Sequence, residues 1–316
     1  MPHRPTLPRG AAPSSAKGPG RCRRPAAAVA AAVLALAALA AGPATAGDVT
    51  PHPEARRIVS VGGAVTEILF ALGAGDRIAA VDSTSLHPDA VRDLPVVGYM
   101  RQLAPEGVLS VGPDLILAIE GSGPPPALAI LQAGSVPVEL VPDVPTPAGV
   151  AGKIRAVGAA IGREAAAEPL AAAVEAEFAA LARETAALPE AGRKRVLFVL
   201  SLANGRVMAG GRGTAAEAIV TLAGGINAAD FDGYKPMVDE AVIAAAPDVV
   251  LAMRRGDHET SAAEVFALPA FRATPAAEHG AFLAMDGGYL LGFGPRAPAA
   301  ARELATRLYP DRIGAP

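Results

Sequence analysis

The hydrophobic positions along the chain change period several times, always in the same order. Residues 57–61, RIVSV, form a short β-branched run that enters Gly62-Gly63. From Val65 to Leu72 the apolar positions take helical spacing, and Gly73 stops them. Leu115 to Ala118 is an unbroken apolar run after Pro113-Asp114, the pattern of a strand buried on both faces. Arg195–Leu200 and Val249–Ala252 repeat the strand signal in the second half. Strands that alternate with helices predict parallel sheets covered by helices.

The order recurs because the chain repeats itself. Residues 65–75, VTEILFALGAG, align without gaps on 215–225, AAEAIVTLAGG, with Glu67 on Glu217 and Gly75 on Gly225. Residues 106–118, EGVLSVGPDLILA, align on 240–252, EAVIAAAPDVVLA, with Glu106 on Glu240 and Pro113-Asp114 on Pro247-Asp248. Between the copies lies TPAGVAGKIRAVGAAIG, residues 146–162, where Val150, Ile154, Val157 and Ile161 share one helical face. Seventeen helical residues span roughly 25 Å, the length of a strut between two lobes. A second helix, about 165–188, follows and ends at Pro189. The pattern predicts an α/β protein of two Rossmann-like lobes with parallel central sheets, joined by a single long interlobe helix. The boundaries are 47–145 for the N-terminal lobe, 146–163 for the strut and 164–316 for the C-terminal lobe.

Composition changes this picture at the amino terminus. The first 46 residues carry six of the 28 Lys and Arg and none of the 31 acids. Their basic start, the apolar run Ala26–Ala41 and the small residues Pro43-Ala44-Thr45-Ala46 read as an export signal cleaved after Ala46. The apolar run is shorter than the roughly 20 residues a membrane span needs. Removal of residues 1–46 leaves a formal charge of −9, a poor match to nucleic acid or anionic lipid. The one cysteine, Cys22, precedes the apolar run, so the mature chain carries no disulfide and no lipid-anchoring thiol. With no tryptophan, its cores must be built from Ala, Val, Leu and Ile. Two exported lobes on one helix describe a solute-binding protein, with its ligand in the cleft between them.

The chemistry-bearing residues exclude the obvious enzyme classes. Gly210-Gly211-Arg212-Gly213 meets neither the P-loop nor the dinucleotide spacing. His52, His87, His258 and His279 fall in loop-like contexts, with no zinc spacing and no nucleophile–base set among them. The residue that asks for explanation is Tyr99, in Gly98-Tyr99-Met100-Arg101, a phenol in a polar loop with a guanidinium two positions on. Read by itself, it is either a loop tyrosine with its hydroxyl in water or a donor awaiting a ligand.

The stretch Gly98-Tyr99-Met100-Arg101 through Glu106-Gly107-Val108-Leu109-Ser110 resembles the haem-binding components of bacterial haem ABC importers, which are helical-backbone (class III) solute-binding proteins. So do Gly211–Asn227, Tyr234-Lys235-Pro236 and Asp286–Arg296. The likeness covers residues 56–310, and the GYMR…EGVLS block is its most specific part. The two-lobe pattern alone is shared with siderophore and cobalamin binders, which remain the alternative.

The resemblance implies ferric haem b as cargo and Tyr99 as the proximal iron ligand. A phenolate is a hard anionic donor that favours ferric iron, and its pKa of roughly 10 must be lowered by the metal, with help from a cation such as Arg101. Arg101, Arg255 and, as second choice, Arg254 would pair with haem propionates. Tyr234 and Tyr289 would pack on the porphyrin. His258 is the one candidate for a sixth ligand, and five-coordinate iron on tyrosine alone is the preferred reading. Glu67 and Glu217 would dock an ABC permease dimer with its ATPase subunits, although each also sits where a helix N-terminus favours a carboxylate. A periplasmic monomer without stable membrane insertion completes the expectation.

Overall fold

The computed structural model describes residues 49–203, 206–254 and 260–314, so the export signal, Arg255 and His258 lie outside the described residues. The N-terminal lobe is built on β1 (Ile58–Val61), β2 (Ile78–Val81), β3 (Leu115–Ile119) and β4 (Val138–Val141), parallel throughout in the order β2-β1-β3-β4. Strand β3 shows why an unbroken apolar run was needed. Its Leu115, Leu117 and Ile119 point into one cluster and its Ile116 and Ala118 into another, so both faces are dry. The helices Gly63–Ala71 and Pro147–Ile161 cover the first face. Val108 and Leu131, from the helices Pro105–Leu109 and Pro125–Gln132, cover the second.

The C-terminal lobe holds β5 (Arg195–Ala203), β6 (Arg206–Gly210), β7 (Ile226–Asn227), β8 (Tyr234–Met237), β9 (Val249–Arg254) and β10 (Phe282–Asp286). Strands β10, β9 and β5 run parallel, as expected, and β7 adds a short parallel pairing to β5. The lobe then departs from its sibling, because β6 and β8 pair antiparallel along the other side of β5. The sequence between β5 and β6 is Asn204-Gly205, the commonest two-residue hairpin signal.

The repeat has a physical basis. Asp114 and Asp248 do the same work in the two lobes. Asp114 accepts the N–H groups of Arg56 (2.7 Å) and Arg57 (2.9 Å), and Asp248 accepts the N–H of Arg195 (2.7 Å). Each aspartate also returns its own N–H, Asp114 to the Arg57 carbonyl and Asp248 to that of Arg195. A carboxylate thereby pins the start of β1 beside β3, and of β5 beside β9.

The Pro147–Ile161 helix starts on Thr146, whose hydroxyl accepts the Gly149 N–H at 3.0 Å, and ends on Gly162 in the left-handed region at φ 67°. Its apolar face is dry. Val150, Ile154 and Val157 are fully buried. They belong to one apolar cluster with Ile58 and Leu115 of the first sheet, Phe178 of the helix Glu164–Ala186, and Phe198 and Leu251 of the second sheet. The core is thus continuous through the joint, and hinging the lobes there would open dry surface at about 25 cal/mol per Å².

Candidate ligand-binding cleft

The loop that carries Tyr99 is held by backbone bonds on two sides. On one, Val97 donates to the Val81 carbonyl (2.9 Å) and Ser83 donates to that of Gly98 (2.8 Å). On the other, Gly123 donates to the Met100 carbonyl and Leu103 to that of Gly123, both at 2.8 Å. The anchoring segments leave the carboxyl ends of β2 and β3. Ligands of open parallel sheets bind beyond that edge. Tyr99 is half-buried and Arg101 exposed. Leu86 and Val96, 59% and 60% exposed, lie on these same segments and give the edge an apolar character.

Tyr234 opens β8 opposite Gly210 of β6, and its ring meets Phe198 edge-on with centroids 6.5 Å apart. The glycine makes room, since a Cβ on Gly210 would sit 3.1 Å from the Tyr234 ring and 2.8 Å from Ala216. Burial pushes the Tyr234 phenol up from its usual pKa, against opposing pulls from the Ala216 N–H, the Thr214 hydroxyl and the Arg101 guanidinium. Tyr234 therefore stays a neutral phenol. Arg254 ends β9 opposite Asp286 of β10, exposed at the carboxyl edge of the second sheet.

Three of the expected residues have partners within the protein. Glu67 is not a free carboxylate. Its side chain is 11% exposed and takes both Nε (3.0 Å) and Nη2 (2.5 Å) of Arg296, from the other lobe. Tyr289 belongs to the same cluster. Its ring lies 5.1 Å from the Arg296 guanidinium, and burial, followed by Glu303, raises its pKa. Glu217 serves its own helix. Its Oε2 accepts the Gly213 N–H at 2.7 Å while the Thr214 hydroxyl accepts the Glu217 N–H at 3.2 Å. These are capping contacts, as the helix N-terminus favours, and the side chain stays half-exposed.

The second repeated pair is more open. Glu106 and Glu240 are both exposed, in the first turns of the helices Pro105–Leu109 and Asp239–Ala245. Neither forms an ion pair among the described residues. Each is followed three positions later by an exposed apolar residue, Leu109 at 40% and Ile243 at 43%, while Val108 and Val242 beneath are fully buried. The aligned repeat carried this signal. A concavity lined by Arg195, Arg212, Glu217, Asn227 and Asp230 includes none of Tyr99, Arg101 and Tyr234, and Asp230 and Asp232 already hold its Arg212.

Comparison with known proteins extends this geometry. The profile of the periplasmic binding protein family matches residues 58–288. Among solved structures, the periplasmic heme-binding protein BhuT in complex with two hemes is 38% identical, with a TM-score of 0.76, over 82% of this chain and 99% of that one. The periplasmic heme-binding protein RhuT from Roseiflexus sp. RS-1, in apo form, is 38% identical with a TM-score of 0.77 over 81% and 98%. The ABC transporter substrate-binding lipoprotein YvrC of Bacillus subtilis (strain 168) is 28% identical over 267 residues, 84% of this chain and 83% of its own length.

Proposed function

This chain belongs to the periplasmic binding protein family, and we propose that it binds ferric haem b between its lobes and delivers it to an ABC permease. The observation that carries the proposal is the backbone-anchored loop that presents half-buried Tyr99 and exposed Arg101 beyond the carboxyl ends of β2 and β3. One phenolate cannot hold a bare iron ion. It suits iron that arrives with its own ring of nitrogens and leaves an axial position open. Arg101 supplies a fixed cation for a propionate or for the phenolate itself. Neutral Tyr234 offers an O–H donor and an apolar ring, and Arg254 lies where a second propionate could be met. Leu86 and Val96 supply the apolar surface that a porphyrin edge requires. The likeness to BhuT and RhuT supports the same cargo.

The test is a hemin titration followed by absorbance. A saturable Soret band of tyrosinate-ligated ferric haem is expected. A spectrum of free hemin at all ratios, with retention of a siderophore or a cobalamin, would transfer the protein to the alternative reading.

Delivery requires a surface that a permease dimer can read on both lobes at once. Glu106 with Leu109 and Glu240 with Ile243 form such a surface, one acid and one apolar residue per lobe at matched repeat positions. Charge reversal of Glu106 and Glu240 together is expected to abolish uptake while hemin binding stays within about twofold, because both side chains are exposed and form no ion pair among the described residues. Normal uptake by the double variant would remove these helices from the docking surface. Charge reversal at Glu217 is expected to lower helix stability by about 1 kcal/mol with little effect on uptake.

A further inference from the structure

Just past β2, Asp82 is fully buried and carries a carboxylate with no ion-pair partner among the described residues. It is held by neutral donors alone. Its Oδ1 accepts the Gly62 N–H (2.8 Å) and the Ser85 hydroxyl (3.0 Å), and its Oδ2 accepts the Thr84 N–H (3.0 Å) and the Thr84 hydroxyl (2.8 Å). Behind Ser85 the buried hydroxyls of Thr66 and Ser60 continue the chain at 2.7 Å per link. Burying an unpaired carboxylate is costly unless donors surround it. A turn that only needed closing could be closed by a neutral side chain.

The groups Asp82 organises lead to the cleft. Gly62 presents its N–H from φ +107°, a conformation closed to other residues here because a Cβ would stand 2.6 Å from Ile119. Ser83, next to Asp82, donates to the Gly98 carbonyl at 2.8 Å, immediately before Tyr99. The Thr84 hydroxyl lies 3.2 Å from the Gly63 N–H and 4.0 Å from Met100 Sδ, immediately after Tyr99. The residues on both sides of Tyr99 therefore rest on a segment whose shape is set by one buried carboxylate.

We propose that Asp82 is a positioning residue for the Tyr99 ligand, fixing residues 82–85 so that the phenol meets iron in one geometry. The inference rests on the haem reading and adds to it a role for an internal residue that touches no ligand. Asp82→Asn turns one acceptor oxygen into a donor and removes the charge, so the four inward-facing donors can no longer all be satisfied. Thr84→Val keeps the Asp82 carboxylate but removes one of its four donors together with the links toward Gly63 and Met100.

The test measures hemin dissociation, the Soret spectrum and the reduction potential of bound haem in both variants, with circular dichroism to establish folding. Outer partners of metal ligands are typically worth about 10–100-fold in affinity. Dissociation of hemin is accordingly expected to accelerate at least tenfold in Asp82→Asn and severalfold in Thr84→Val. In both, the Soret band should shift toward that of Tyr99→Phe and the potential should move positive. A merely structural role would lower melting temperature and leave spectrum and potential alone. If Asp82→Asn does not fold, Thr84→Val decides. Folded variants with wild-type dissociation, spectrum and potential overturn the proposal. Failure of the unaltered protein to bind hemin overturns the haem reading instead.

Discussion

Tyr99→Phe is expected to weaken hemin binding by more than 100-fold and to replace the tyrosinate Soret spectrum with that of loosely held hemin. The substitution removes one oxygen and keeps the ring. The loop around it is held by backbone bonds from Val97, Ser83, Leu103 and Gly123, none of which involves the phenol. Tyr99 is half-buried, so its hydroxyl leaves no sealed cavity. Folding stability is therefore expected to stay within about 0.5 kcal/mol of the unaltered protein, as for other substitutions at partly exposed sites. The magnitude follows from the coordination chemistry. Outer-shell partners of a metal ligand are already worth about 10–100-fold, and the ligand itself must exceed them. Arg101→Ala serves as the graded companion, with a loss of about tenfold from a charge-assisted contact worth roughly 1.5 kcal/mol. Unchanged hemin affinity and spectrum in Tyr99→Phe would end the assignment of cargo and leave the two-lobed fold untouched.

What the sequence made legible was local or repeated. The 147–161 helix could be read because Val150, Ile154, Val157 and Ile161 mark one face, and the same four residues are buried. Strand β3 could be read because a strand dry on both faces has no polar position to break its run. The paired Pro-Asp sites could be read because both lobes need a carboxylate at the same junction. The antiparallel edge of the second sheet was missed for the opposite reason. β8 is Tyr-Lys-Pro-Met, exposed at its first three positions, and has neither an apolar run nor clean alternation. Its pairing is set by the strand beside it.

The partners of the candidate site residues were the least legible. Glu67 and Arg296 stand 229 positions apart, and nothing in either local pattern announces the other. A glutamate in a first turn is equally well explained by a helix dipole, by a docking surface or by a distant arginine, and only the fold selects among them. Asp82 heads the run DSTS, which reads as polar loop until its four donors are seen to be internal. The candidate site depends on how short polar segments close on one another, a feature that periodicity does not encode.

Arg296→Met is expected to cost on the order of 2–3 kcal/mol of stability and to loosen the fixed angle between the lobes. Arg296 grips both Glu67 oxygens across the lobes, with Tyr289 packed on its guanidinium. Beneath the pair, a Cβ on Gly294 would come within 3.2 Å of Glu67 Oε2 and 3.4 Å of Ala64 Cα, so the lobes touch backbone to backbone. Nearby, fully buried Lys153 joins Asp143 (2.5 Å) to the Phe293 carbonyl of the other lobe (3.2 Å). Loss of one partner from a fully buried ion pair costs about 3–5 kcal/mol, because the survivor is left charged and dry. The value here is set lower because the Arg296 side chain is 33% exposed and water can reach the pair. The same exposure predicts an order among variants. Glu67→Gln leaves an arginine that can turn to solvent and should cost less than Arg296→Met, which strands a carboxylate at 11% exposure. The double variant should recover part of the loss. Urea unfolding of the four proteins measures this cycle, and small-angle scattering reads the lobes. The unaltered protein should change its radius of gyration little when hemin is added, whereas Arg296→Met should start more open and close on binding. An Arg296→Met protein as stable as the parent, with the same scattering before and after hemin, would show that the joint draws its rigidity from the shared apolar core through Val150, Ile154 and Phe198 alone.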